Sequence, residues 1–327
     1  MYNENFMGLS GFVWFVGVVE DRQDPLKAGR VRVRALGHHT DHLDLLPTAD
    51  LPWANVMLPI TASGVSGIGQ SATGLLEGSW VLGYFRDGDR RQEPVILGSL
   101  PGRPTQAANN PQGSNKGFSD PNGVYPKYIN EPDVNRLAVN NGEKPHPSLA
   151  TDADTRVTGI QAYNSEWDQP ASTYGAIYPY NQVYESESGH IVEFDDTPDA
   201  ERIHIRHRSG TRLEITANGD QLAITKGDNY IIIDGNNKVY IKGNSDITVQ
   251  GNANVKAGGE ANVLANTINA TANTNINMTA SNVNVTGNVL INGTLDVMQN
   301  VSLEADLLVQ GDTSLEGENT IHGYDKP

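Results

Sequence analysis

Six glycines fall eight residues apart, at 219, 227, 235, 243, 251 and 259. Two residues before each stand Ala217, Thr225, Ile233, Ile241, Val249 and Ala257, and four before stand Ile215, Ala223, Ile231, Val239, Ile247 and Val255. Side chains two apart share one face of an extended strand. Glycine then supplies a corner that tolerates positive φ. Each octad reads as a short strand and a tight turn, with a small or apolar stripe on one side. From Val283 the period becomes six. The third position of each hexad is Val285, Ile291, Val297, Leu303, Val309, Leu315 or Ile321, and the fifth is Gly287, Gly293, Gln299, Ala305, Gly311, Gly317 or Gly323. A fixed period of this kind marks a repeat architecture. Between the blocks, from about 265 to 282, Thr271, Asn273, Thr279 and Ser281 take the inward positions, which predicts a more polar axis there. The shorter repeat predicts a narrowing toward the C-terminus.

One octad strip leaves both strand edges unpaired and its stripe half covered, which costs free energy on both counts. Three chains wound on one axis pair those edges and bury the stripes together. The expectation is therefore an intertwined, triple-stranded β-helix. The alternatives are a single-chain β-helix, which would ordinarily keep one period throughout, and a disordered Asn-rich linker, which conflicts with the strict apolar positions.

Composition narrows the function. Lys and Arg total 23 against 39 Asp and Glu, a formal charge of −16. Phosphate backbones need clustered cations, so nucleic acid is not an expected partner. Adsorption to an anionic membrane is equally disfavoured, leaving mechanical contact. With no cysteine there is no disulfide or thiolate chemistry. Met1 to Glu20 lacks a basic region followed by a long apolar run, and no stretch reaches the length of a spanning helix.

Aromatic residues cluster in the first 185 positions, and after Ala200 the chain turns to Asn, Thr, Gly, Val and Ile. In the head, Gly11 to Val19 reads as a strand with Phe12, Trp14, Val16 and Val18 on one face. Glu20 to Lys27 is a turn around Asp24-Pro25. Arg30 to Leu36 alternates, placing Val31, Val33 and Ala35 inward and Arg30, Arg32 and Arg34 outward. Trp53 to Ile60, Trp80 to Phe85 and Pro94 to Leu97 complete about five strands, which suits a small closed barrel of the oligonucleotide/oligosaccharide-binding (OB) type. The arginine face reads as salt-bridging or subunit-contacting.

These runs resemble a family. Phe12 to Gly37, Leu51 to Phe85 and Gly117 to Pro126 are similar to the opening of the baseplate hub-and-spike (central spike) protein of contractile-tailed bacteriophages. Tyr184 to Ile215 resembles the collar from which that family's β-helix begins, and the whole is also similar to the valine-glycine-repeat spike of type VI secretion. The resemblance implies a homotrimer docked on a ring-shaped baseplate hub protein, driven through the bacterial outer envelope by sheath contraction. It implies a place in the virion tail baseplate after assembly in the host cytoplasm. The best-known members carry a lysozyme domain between barrel and β-helix. Here the interval from about Pro101 to Gln182 is too short and too loop-rich for one, so no enzyme is expected.

The candidates for chemistry are few. Glu166 and Asp168 read as surface acids, and Glu193, Asp195 and Asp196, before Thr197-Pro198, as turn-forming. His38, His39 and His42 have ligand types at metal-like spacing but no second cluster. His204 and His207 fall on collar strands with opposite directions. Gly64, Gly67 and Gly69 lack the Lys-Ser/Thr of a phosphate loop. His322 would be brought together in three copies near the tip of a trimer, where a metal is conceivable though a single histidine per chain makes a poor octahedral set. The expectation is no catalytic, cofactor-binding or metal residue, and no cofactor.

The resulting organisation is an all-β chain: an OB-fold barrel over 1–102, a loop-rich connector over 103–182, and a collar over 183–216 entering the β-helix. The octad β-helix follows over 217–282, then the hexad β-helix and tip over 283–327. The function expected is a trimeric structural needle, with Ile321 and Tyr324 a possible seat for a separate tip protein. Two alternatives stand beside it. One is the spike of a type VI-like or extracellular contractile injection system; the other is an acyltransferase on a single-chain hexad β-helix, for which only His322 is available as a base. From Val283 onward seven acids face one lysine, which favours solubility of such a needle.

Overall fold

The computed structural model describes residues 11–103, 130–304, 307–312, 314 and 316. The run 117–126 and residues Ala305, Leu315, Gly317, Ile321, His322, Gly323 and Tyr324 lie outside the described residues. The chain divides into two compact units, Met1–Asn252 and Ala253–Pro327.

Strands dominate the first unit. β1 (Val13–Asp21), β2 (Val31–Ala35), β3 (Trp53–Val56), β4 (Trp80–Phe85) and β5 (Pro94–Ser99) close into a five-stranded barrel in the order β1-β2-β3-β5-β4. The OB-type barrel expected from the alternation is thus present, with β3 and β5 paired in parallel and the other neighbours antiparallel. Val31, Val33 and Ala35 point inward as predicted and pack with Phe15, Val19, Ala54, Val81, Phe85 and Ile96. The barrel is narrow. A methyl on Gly17 would sit 2.6 Å from Val33 Cγ1 and 2.7 Å from the Arg34 carbonyl, so only glycine lets β1 pass β2 there.

Two side-chain placements differ from the simple alternation. Phe12 and Trp14 lie on the outer wall, about half exposed, and form an edge-on cluster with Tyr84. Phe15 and Val19 on the opposite parity fill the core. Arg34, expected outside, is 1% exposed. Its guanidinium grips Glu20 at 2.6 and 3.0 Å and donates to the carbonyls of Thr40 and Leu46, so the 37–50 loop folds over the strand and buries the pair. Arg30 and Arg32 are the salt-bridging residues anticipated: Arg30 pairs with Asp24, while Arg32 lies 3.8 Å from Asp21 and over the Trp53 ring.

The connector holds more structure than a linker. α1 (Arg136–Val139) is capped by Asn135, whose side chain accepts from Leu137 N. α2 (Pro147–Asp154) begins with a helix-compatible proline, and the His146 side chain accepts from Ser148 N. A small hairpin joins β6 (Ile160–Gln161) to β7 (Glu166–Trp167).

Beyond it, β8 (Asn181–Glu185), β9 (Ile191–Asp195), β10 (Arg202–Arg206), β11 (Arg212–Ile215) and β12 (Gln221–Ile224) form an antiparallel meander. After Ile224 the described tail forms no strand ladder within the chain. It bends instead with the sequence period. In the first unit the bends fall at 226–227, 234–235, 242–243 and 250–251. In the second they continue at 258–259, 266, 273–274 and 281, then tighten to 287, 292–293, 298–299 and 304. A single-chain β-helix needs ladders between successive turns of one chain, and the described tail has none.

Candidate functional site

The collar meander is built inside out. Alternation along a strand sends neighbouring side chains to opposite faces, and in VEFD, RIHIR and RLEI it divides charge from hydrocarbon, Ile191 alone joining the charged face. Glu193, Asp195, Arg202, His204, Arg206, Arg212 and Glu214 are all buried. Phe194, Ile203 and Ile205 are 52, 40 and 49% exposed. Register places Phe194 against Ile203 and Ile203 against Ile215, with Ile205 between Val192 and Leu213, so these side chains form one continuous apolar face. Ile215 and Ala223 on that face are the first two members of the octad stripe.

The connector covers the charged face. Glu193 accepts from Asn181 at 2.9 Å and from Arg202 at 2.8 Å, and its other oxygen meets His204 Nδ1 at 2.6 Å. Burial pushes the Glu193 carboxyl up, but the His204 hydrogen bond, the Arg202 charge and the Asn181 bond outweigh it and hold the group below the ordinary range. Glu214 accepts from Ser172 Oγ and Thr173 N. Asp152 of α2 reaches both Arg206 and Arg212, at 3.2 and 3.0 Å. Tyr174 lies under the Arg202 guanidinium and donates to the Leu137 carbonyl. Its phenol is pushed up to about 12, first by burial and then by the Glu193 charge. Burying so much charge is tolerable only because it is paired.

The sequence marks Glu193 and Asp195 as turn-forming and His204 as a structural histidine of a collar strand, but it does not show that they join one buried network. Asp195 does shape a turn, accepting from Thr197 N and Oγ1. The available signal was the strict charge-aliphatic alternation. Its ordinary interpretation puts the aliphatics inside, and nothing local reverses it.

The other singled-out residues do not converge. His38 Nε2 faces the Trp14 carbonyl, His39 Nδ1 accepts from Ala35 N, and His42 lies beside Asp41. Among the described residues no group of His, Cys, Asp and Glu has metal-holding geometry. Glu166 contacts Gln161, whereas Asp168 accepts from Gly159 N. His207 is exposed, its ring tilted against that of His190 with centroids 4.5 Å apart. Gly64, Gly67 and Gly69 all have positive φ in the loop between β3 and β4.

The tail repeats the exposed apolar pattern. In the octads Ile233, Ile241 and Val249 are 47, 52 and 51% exposed, while Ile231, Val239 and Ile247, two residues earlier, are 77, 75 and 86% exposed. In the hexads Ile291, Val297 and Val309 are about half exposed, and their neighbours Leu290, Met298 and Leu308 stand almost fully out. None of these side chains has an intrachain cover.

Comparison with known proteins gives a consistent family. Residues 38–198 match the Gp5 N-terminal OB domain family. Over 250 residues the chain is 42% identical to "Protein Gp5" of Vibrio phage KVP40, covering 66% of this chain and 58% of that one. Over 121 residues it is 46% identical to the "Pre-baseplate central spike protein Gp5" of Enterobacteria phage T4, covering 36% of this chain and 20% of the relative. The chain thus spans just over half of the first relative and a fifth of the second.

Proposed function

We propose that this relative of the phage Gp5 central spike proteins is itself the central spike of a contractile-tail baseplate. In this reading it is a homotrimer whose barrels dock on a ring-shaped hub and whose tail is a triple-stranded β-helix. Sheath contraction drives that needle through the bacterial outer envelope, so function rests on stiffness and shape. The protein acts in the virion baseplate, needs no cofactor, and offers its C-terminus to a separate tip protein.

The observation that carries the proposal is the inside-out collar. Its polar face is covered by the chain's own connector, whereas its aliphatic face has no such cover and runs into the octad stripe. Burying Phe194, Ile203 and Ile205 removes hydrocarbon from water at about 25 cal/mol per Å². Further copies of the same chain are the partner with a matching stripe at every octad. The central-spike role in the name of the T4 relative and the change of period from eight to six favour three intertwined chains over a coil of one.

A structural role without hydrolysis is supported by the connector. Its described part is committed to two short helices, a hairpin and the collar network. The test is a light-scattering mass of purified protein. The expected value is about three times the 35.3 kDa chain. A folded monomer at working concentration sinks the reading, and clearing of a cell-wall zymogram would sink its non-enzymatic part.

A further inference from the structure

The octads carry a second apolar set, on the side away from the inward stripe. Strand parity puts Leu222 and Ile224 outward in the octad that ends at Gly227, and Tyr230 and Ile232 outward in the one that ends at Gly235. Tyr240 is outward before Gly243, and Thr248 before Gly251. The Gly227 and Gly251 octads meet the chain's own connector. Register sets Leu222 opposite Glu214 and Ile224 opposite Arg212, on the connector-covered face of the collar, and both are half-buried. Lys226 Nζ donates to the Thr155 carbonyl at 3.3 Å, and Thr248 Oγ1 to the Gln161 carbonyl at 2.7 Å. The two octads between them have no such cover. Tyr230, Ile232 and Tyr240 are 79, 87 and 84% exposed.

Threefold geometry accounts for this spacing. On the three-chain reading proposed above, each corner passes a chain to the next of three faces, so octads three apart share a face. The layers between a chain's Gly227 and Gly251 octads on that face are then filled by its neighbours, by the Gly235 octad of one and the Gly243 octad of the other. Three layer spacings of about 4.8 Å make about 14 Å. The strap from Thr155 to Gln161 advances six residues, and an extended chain of that length reaches up to roughly 20 Å. It is long enough to run from one of its own octads to the other across both neighbours. Val157, half exposed, and Ile160 are the aliphatic side chains it carries between those ends.

We infer that the strap 155–161 docks on two further copies of the chain, Val157 covering Ile232 of one partner subunit and Ile160 covering Tyr240 of the other. Each connector thereby clamps the first full turn of the needle, and three clamps close a ring of contacts outside the common axis.

The chain has no cysteine, so engineered pairs report this contact without background. Full-length protein carrying Val157→Cys with Ile232→Cys is sized by light scattering, treated with a short bis-maleimide and run on a denaturing gel beside each single variant. The expected result is most chains in covalent dimers and trimers, with the single variants running as one chain. Should that pair fail to assemble, Ile160→Cys with Tyr240→Cys must give the same ladder. No ladder from material of trimeric mass overturns the docking and leaves the spike reading standing. A monomeric mass for the parent protein overturns both.

Discussion

At the scale of single residues, the fold depends on a few charged groups placed where burial would ordinarily forbid them. Glu20 with Arg34 pins a loop to the barrel, and Asp152 neutralises two arginines of the collar at once. Several groups have protonation equilibria displaced by their surroundings, and the displacements fix a pH response. Burial, with Arg34 and His38 nearby, lowers the His39 pKa below its ordinary value. The unfolded chain therefore binds the proton more readily, so His39 costs stability as pH falls below about 6.5. Asp24, bonded to Arg30, Glu131, bonded to Arg136, and Glu193 are held below the usual carboxylate range. Their stabilisation is fully present above about pH 4.5 and is lost as pH falls further through the folded-state values. Thermal unfolding followed from pH 8 to pH 3 should thus weaken in two stages. His39→Asn, which keeps an acceptor for Ala35 N, should remove the upper stage and leave the lower one. Arg30 was legible as a salt-bridging residue, and its partner Asp24 lies only six residues away, whereas the partners of Glu193 come from β8 and β10 and are joined by chain folding rather than by spacing.

At the scale of elements, what could be read depended on whether a strand followed the usual rule. RVRVRAL alternates with aliphatics inward, and β2 came out as expected, with only Arg34 drawn under a loop. The same reasoning applied to β10, RIHIR, gives the wrong buried face. Local sequence states which residues share a face; it does not state which face meets protein and which meets another molecule. In the collar the connector supplies polar partners for one face, so the aliphatic face is the one left to an outside partner. Ile205→Asp discriminates between that account and a merely tolerant surface. A surface aspartate would change stability by less than about 0.5 kcal/mol. A carboxylate forced into a shared apolar contact costs several kcal/mol per chain. The variant should therefore lose its assembled mass by light scattering while the barrel keeps its own near-ultraviolet aromatic signal. Retention of the parental mass would show that this face is not an interface.

For the whole molecule, the repeat was the most legible feature and also the one whose partner a single chain cannot display. The glycine period, the half-exposed stripe and the observed bends agree over about eighty residues, yet the described tail holds no ladder within the chain, and in the proposed spike those ladders come from other copies. That distinction yields a sharp experiment on the periodicity itself. Removing residues 236–243 deletes one full octad and rejoins Gly235 to Asn244, so the next glycine is again eight positions on and every downstream side chain keeps its face. Removing residues 236–238 alone shortens one octad to five and, because strand parity is two, turns the whole downstream stripe to the opposite face. If three chains share the stripe as a common axis, the eight-residue deletion should give a soluble assembly of three slightly lighter chains with nearly the parental unfolding midpoint. The three-residue deletion should give aggregated or dissociated chains despite removing less protein. Equal tolerance of both deletions would mean that the tail is an extended linker whose period has no structural consequence, whereas equal intolerance would place its stability in specific contacts rather than in the repeat.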